Sequence, residues 1–172
     1  PLEQEVKIMD DYMYLQQMRF GQRIKYMCDV DKECMDELVP AFVLQPLIEN
    51  AIIHGLSSSS KGGLIYVRCF KKEDKMWLSV ADTGIGIERD KLKNIRRYID
   101  NIFLSPDTKP AATAENDNKS DADNGIKRKT VGVGIGNIAY RIKGMYNNSG
   151  IKIYSVKDRG TVIQIFFDNY SK

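Results

Sequence analysis

The sequence predicts an α/β fold, a two-layer sandwich in which a mixed sheet carries helices on one face, with a further helix in front. Three observations lead there. Four of five strand-like segments come as two pairs joined by short polar turns, which reads as two hairpins. Segments with apolar residues three and four apart fall before and between those pairs. Strand–helix alternation does not run through the chain, so a doubly wound parallel sheet is excluded.

Leu2 to Phe20 reads as a helix, because Leu2, Val6, Met9, Met13, Gln16 and Phe20 step by four and three along one seam. A second row, Ile8, Tyr12 and Leu15, widens the apolar face. That face fits either packing on its own domain or one arm of a helical hairpin. Gly21 stops the helix. Ile24, Tyr26, Cys28 and Val30 alternate with polar residues as a half-buried strand, and polar Asp31 to Glu37 makes a turn. Val39 to Gln45 is an apolar connection. Pro46 suits a helix first turn, and the apolar face of Leu47, Ile48, Ala51 and Ile52 continues through His54. Gly55 and the run Ser57 to Gly63 read as a surface loop.

Leu64 to Phe70 and Met76 to Ala81 form the first hairpin, and Lys91 to Phe103 a helix with Leu92, Ile95, Ile99 and Ile102 on one side. From Ser105 to Thr130 the segment has one branched aliphatic residue, Ile126, and no aromatic. It builds no core of its own and reads as a lid or as an insertion without a role. Order resumes at the glycine box Gly132 to Asn137, followed by a helix from about Ile138 to Tyr146 and a last hairpin, Ile151 to Val156 with Thr161 to Phe167.

Composition bounds the function. The chain has 172 residues, 26 Lys+Arg against 23 Asp+Glu, a net charge of +3 and 42% hydrophobic residues. That is one globular domain, or one domain with an appended helix, and not a polyanion binder. Trp77 and the tyrosines show no stacking array, so no nucleic-acid partner is expected. Cys28, Cys34 and Cys69 are odd in number and include no Cys-x-x-Cys pair, against a disulfide framework or a zinc site. No apolar run reaches the roughly 18 residues of a membrane span. The chain opens at Pro1 without a methionine and reads as a piece of something longer.

Neither glycine box is a common nucleotide signature. No GxxxxGK string occurs, and Gly132, Gly134 and Gly136 are spaced GxGxG after a polar loop instead of GxGxxG after a strand. The boxes do allow close backbone approach, and glycines feeding a helix N-terminus read as a phosphate seat. Asp82, between a strand and a glycine turn, presents a carboxylate that suits an exocyclic amine such as that of adenine.

The order of the strings is more specific than any one of them. Gln45-Pro46-Leu47-Ile48-Glu49-Asn50-Ala51-Ile52-Ile53-His54-Gly55, then Asp82-Thr83-Gly84-Ile85-Gly86-Ile87, then Gly132 to Asn137 resemble the N, G1 and G2 boxes of the GHKL ATPase superfamily. Tyr14 to Gly21, the box around Asn50, Gly134 to Ile142 and the closing Arg159 to Ile165 resemble the LytS/YesM-type sensor histidine kinases. The resemblance covers the chain apart from the lid. It implies the GHKL (Bergerat) form of the α/β sandwich, with residues 1–21 the end of a dimerisation and phosphotransfer region and 22–172 the ATP-binding catalytic domain, lid at about 105–130.

It also implies the roles. Asn50 would hold Mg²⁺ against the ATP phosphates, with Glu49 and His54 beside it in the catalytic box. Asp82 would bond the adenine amine, supported by Thr161, and Gly84 and Gly86 would shape the adenine pocket. Gly132, Gly134, Gly136 and Asn137 would close over the phosphates. Phosphoryl transfer to a histidine on an upstream helix of the same or a partner subunit would follow, then relay to a response-regulator aspartate. The parent would be a homodimeric membrane sensor with this part in the cytoplasm. Two positions depart from the family pattern. The water-activating Glu of hydrolysing members would stand at Pro46, and the Lys often found three residues after the Asn is Ile53. Lys127, Arg128 or Lys129 would then supply the phosphate contact, unless they are a solvated loop end. The competing expectations are a nucleotide-binding module without transfer activity and a hydrolysing ATPase.

Overall fold

A computed structural model describes residues 1–57, 62–105 and 131–168. The expected lid at about 105–130, with Lys127, Arg128 and Lys129, lies outside the described residues from position 106 on. The elements run α1 (Leu2–Phe20), β1 (Ile24–Val30), α2 (Gln45–Asn50), a π-helical segment (Ala51–Leu56), β2 (Gly63–Lys72), β3 (Lys75–Asp82), α3 (Arg89–Leu104), α4 (Val131–Met145), β4 (Ser149–Val156) and β5 (Gly160–Asp168).

The five strands form one sheet in the order β1-β2-β3-β5-β4. Only β1 and β2 are parallel, and the other three pairings are antiparallel, so the sheet is mixed as expected. Turn chemistry sets the first hairpin. Lys72 faces Lys75 across a two-residue turn in which Glu73 and Asp74 both take positive φ, 53° and 56°, the left-handed pair that matches strand twist.

One sheet face carries the core. Ile65, Val67, Cys69, Met76, Leu78, Val80, Ile163, Ile165 and Phe167 alternate inward and meet Ile95, Ile99, Ile138 and Ile142 of α3 and α4. The other face holds an aromatic row, with the Trp77 ring 6.3 Å from Phe70 and 5.0 Å from Phe166. Burial pushes the Cys69 thiol well up, and Cys34 up to about 11, so neither is poised as a thiolate.

Three sequence expectations change. In α1, Leu2, Val6, Met9 and Met13 pack into the shared core, but of the second row only Tyr12 packs against it, while Ile8 is 44% and Leu15 62% exposed. The apolar face that packs is narrower than the spacing offers. Gly55 is not in a surface loop. It is buried within the π-helical segment, because a neighbouring carboxylate needs the space of its missing side chain. The glycine box at 132–137 does not precede a helix; it is the first part of α4. Glycine in a helix interior costs about 1 kcal/mol relative to alanine, but packing overrides propensity here. A Cβ on Gly136 would stand 2.7 Å from the Tyr98 ring of α3, whereas one on Gly134 would be at an ordinary 3.7 Å from Asn50 of α2.

Candidate functional site

β3 ends at Asp82, where the sheet stops and the chain turns through two glycines. The turn is built from backbone against backbone. The Ile85 N–H donates to the Gly55 carbonyl at 3.0 Å, and the Asp158 N–H donates to the Ile85 carbonyl at 2.7 Å. A Cβ on Gly84 would lie 2.3 Å from the Gly55 carbonyl. Gly86, at φ 66°, passes so close to the Val156 carbonyl that its Cβ would lie 2.1 Å away. These contacts tie the turn after β3 to the π-helical segment on one side and to the β4–β5 hairpin on the other.

Between them lies a cavity of about 240 Å³. Val80 and Ile163 of the sheet form its floor, Leu47 and Ala51 one wall, and Ile85, Gly86 and Ile87 the opposite wall. Asp82 and Thr161 stand together at the sheet end, paired across β3 and β5. Asn50, His54, Glu88 and Lys91 complete the lining. An apolar slot with a few convergent polar groups is the form small-molecule sites take.

The Asp82 carboxylate is held from two sides. Its Oδ1 accepts the Gly84 N–H at 2.8 Å, and the Thr161 N–H also stabilises its charge. Loss of water outweighs both, and the carboxyl sits above its ordinary value of 3.8. Gly55 makes this position possible, since a Cβ there would meet Asp82 Oδ1 at 2.7 Å. A desolvated acceptor on the lining of an apolar slot suits a flat ligand with an amino donor. The Thr161 hydroxyl pairs with Ser155 Oγ at 2.9 Å and not with Asp82, so Thr161 supports the carboxylate through its main-chain N–H. Ser155 in turn accepts the Ile87 N–H at 2.8 Å, which fixes the far wall.

Asn50, at the end of α2, has a buried Nδ2 with no hydrogen-bond partner among the described residues. An unpartnered amide N–H₂ is a donor that suits a ligand oxygen such as that of a phosphate, whereas a cation would take the side-chain oxygen. It lies against Gly134 of α4, so the first and third strings meet at this side chain. Among the described residues no group of three or more His, Cys, Asp or Glu is arranged to hold a metal. The donor set therefore fits a hard cation only in the way magnesium is commonly bound, by one or two side-chain oxygens with phosphates and water.

The structure brings Asn50, His54, Asp82, Gly86 and Thr161 to one cavity, with Gly84 and Gly134 packed directly behind. It does not bring Glu49 there. That carboxylate accepts from Gln45 Nε2 at 2.9 Å, is not part of the lining, and acts on Tyr12 of α1. Asn137 is solvent-exposed, and of Gly132 only the helical backbone is described. Gly55 closes the first string without a site role of its own there, and Lys91 and Ser155, which also form the site, lie outside all three strings. Lys91 had a signal, a cation in the first turn of the helix that follows the glycine turn.

A model of the family described as histidine kinase-, DNA gyrase B-, and HSP90-like ATPase matches residues 35–171. The sensor protein LytS of Staphylococcus saprophyticus is 36% identical over 94 residues, 55% of this chain and 16% of that protein. The sensor histidine kinase YpdA of Escherichia coli is 29% identical over 94 residues, again 55% of this chain and 16% of that protein. The chain thus spans about a sixth of the length of the curated relatives it matches. Among solved structures, the catalytic domain of the histidine kinase ThkA in a nucleotide-free form has a TM-score of 0.53 at 17% identity, covering 96% of this chain and 92% of that one. Full-length ShkA in complex with AMPPNP has a TM-score of 0.57 at 14% identity, covering 100% of this chain and 31% of that one.

Proposed function

The chain belongs to the histidine kinase-, DNA gyrase B-, and HSP90-like ATPase family, and on that premise we propose that it is the ATP-binding catalytic domain of a sensor histidine kinase. The observation that carries the reading is Asp82, a desolvated carboxylate on an apolar cavity with the open amide of Asn50 on the same lining. Adenine fits the slot between Leu47, Ile163 and Ile87, and its exocyclic amine donates to Asp82. ShkA, a chain of like fold, holds AMPPNP.

Triphosphate leaves the slot past Asn50 towards Gly134. Asn50 would hold a magnesium ion there, and that ion when bound supplies positive charge against the phosphate oxygens. Lys91 brings a fixed cation to the same cavity, whereas Ile53, 54% exposed, brings none. The chain's own contribution is positioning and exclusion of water, which is most of what phosphoryl transfer asks of a protein.

His54 lines the cavity from inside the box that carries Asn50, so it contacts the nucleotide side and is not the acceptor. The acceptor in this reading is a histidine outside these 172 residues, and the phosphate then passes to an aspartate of a response regulator. Residues 1–21 are the end of a dimerisation region, and the parent is a homodimeric membrane sensor facing the cytoplasm. No helix of the described residues is long and apolar enough to cross a membrane. Pro46 stands where a hydrolysing relative would carry its water-activating Glu, and Glu49 faces away, so transfer is favoured over hydrolysis.

Titration of the chain with AMPPNP and Mg²⁺ tests the nucleotide reading. Binding in the micromolar-to-millimolar range is expected, and Asp82→Ala should remove it. Asn50→Ala should weaken magnesium-dependent binding more than metal-free binding. Full affinity in Asp82→Ala would overturn the adenine assignment. Transfer is tested by adding the parent's histidine-bearing region and labelled ATP, where acid-labile phosphate on that region is expected and its absence counts against a kinase.

A further inference from the structure

The segment Ala41 to Leu44, which leads into α2, is gripped from two sides by opposite charges. Glu5 of α1 is only 7% exposed, and its carboxylate accepts three consecutive main-chain N–H groups. Oε1 takes Phe42 at 2.7 Å, and Oε2 takes Val43 at 3.0 Å and Leu44 at 3.5 Å. From the other side, the Arg141 guanidinium of α4 donates to the Ala41 carbonyl and, at 3.2 Å, to the Phe42 carbonyl. Phe42 between them holds φ at 56°, a left-handed conformation that a bulky residue adopts only when its surroundings impose it.

The turn so held is the start of α2. Leu44 is its N-cap, and the Leu44 carbonyl accepts the Ile48 N–H at 3.0 Å. Glu5 therefore satisfies the main-chain donors of the turn immediately before the helix, the last of them on the N-cap residue itself. At 1.5 Å per residue, Asn50 lies about 9 Å along the same rigid element from Leu44. Arg141 anchors the other partner, because α4 also carries Gly134, which lies against Asn50.

We infer that Glu5 and Arg141 are positioning residues for the nucleotide site, clamping the Phe42 turn so that the placement of Asn50 follows the placement of α1. The inference rests on the nucleotide reading above. The remaining ties of α1 support it. The Leu2 N–H donates to the Glu37 carbonyl at 2.8 Å and the Glu3 N–H to the Met35 carbonyl at 3.0 Å, so the start of α1 and the segment before α2 move as one piece. Towards its far end α1 exposes one face, with Tyr14, Leu15 and Met18 each more than 60% exposed, while Gln17 Nε2 donates to the Ile24 carbonyl at 3.2 Å. A displacement of α1 reaches Asn50 through Glu5, with no contact between α1 and the nucleotide.

Glu5→Gln tests this with little change of shape. One carboxylate oxygen becomes an amide that confronts main-chain donors with another donor. Affinity for Mg·AMPPNP in the full chain should fall about five- to tenfold, while affinity for AMPPNP without metal changes by less than about twofold. In an Asn50→Ala background the same substitution should produce no further loss. Arg141→Lys, at an exposed position, keeps the charge but loses the two-carbonyl fork, and should give the same split even where Glu5→Gln lowers the folded yield. Equal losses with and without metal, or a lower melting temperature at unchanged affinity, would make the clamp structural only and overturn the inference. Asp82→Ala separates the two levels. If it retains full affinity, the nucleotide reading fails; if it abolishes binding while Glu5→Gln and Arg141→Lys show no split, only the clamp fails.

Discussion

Gly55→Ala places one methyl group where the structure leaves the least room for it. The added carbon would stand 2.7 Å from Asp82 Oδ1 and 3.0 Å from its Cγ. An ordinary carbon–oxygen contact needs about 0.7 Å more, and Asp82 has little freedom to give it, because Oδ1 is held by the Gly84 N–H at 2.8 Å. Retreat of the carboxylate breaks that hydrogen bond to a charged group, which costs about 1.5 to 3 kcal/mol. Alanine recovers about 1 kcal/mol over glycine in a helical setting, so the net destabilisation is about 0.5 to 2 kcal/mol. Binding should suffer more than folding. A displaced carboxylate no longer meets the adenine amine, and loss of a hydrogen bond of that class reduces affinity roughly 10- to 100-fold. Urea denaturation reads the first quantity and AMPPNP titration the second. Gly144→Ala supplies the control, since a Cβ there meets nothing within 4 Å; it should stabilise by about 0.5 to 1 kcal/mol and leave affinity unchanged. Undiminished nucleotide affinity in Gly55→Ala would refute the claim that this glycine exists to seat Asp82.

Asp82 should also give the stability curve an inverted segment. Its carboxyl titrates above the ordinary 3.8 because of desolvation. Between those two values the folded state binds more protons than the unfolded one, so stability falls as pH rises through that interval. Asp82→Asn should lack this segment, and denaturation midpoints of both proteins across acid pH should differ least at the acid end; a constant difference would show that Asp82 titrates normally. In the first hairpin, Asp74 holds φ at 56°. Asp74→Gly relieves that conformation and should raise stability by about 0.5 to 1 kcal/mol by urea denaturation. Gly136→Ala should separate α4 from α3, because its methyl would meet the Tyr98 ring at 2.7 Å. Overpacking of this kind costs about 1 to 3 kcal/mol, and a gain in stability would show that Tyr98 swings clear.

Strand positions were legible because alternation is a local signal. Ile24 to Val30 alternates in sequence and is β1 in the structure, and the polar turn at Lys71 to Lys75 closes the hairpin between β2 and β3. The α1 seam was legible for the same reason, but only half of what it offered. Ile8 and Leu15 obey helical spacing as well as Met9 and Met13 do, and spacing alone does not say which face meets the sheet. The glycines failed in the opposite sense. At Gly136 propensity argues for loop, yet the constraint is the closeness of Tyr98 on α3, and contacts of that kind join residues far apart in sequence. Gly55 looked like a loop residue because its partner, Asp82, lies 27 positions away.

The same distinction explains how the nucleotide strings work together. Read singly, each is a turn or a helix with small residues. In three dimensions Gly84 admits the backbone of Gly55, and Gly55 admits the carboxylate of Asp82, while Gly134 leaves Asn50 at ordinary contact distance. The first two strings each supply vacant volume that a group of the other occupies. A methyl group at Gly55 or Gly84 therefore acts on a residue of a different element. The order of three short strings along the chain carried information that no single string held, because the site exists only where all three meet. Glu5 was invisible to that reasoning. As one acid among several on a helix, it gave no sign of the three main-chain N–H groups that it holds nearly forty residues away.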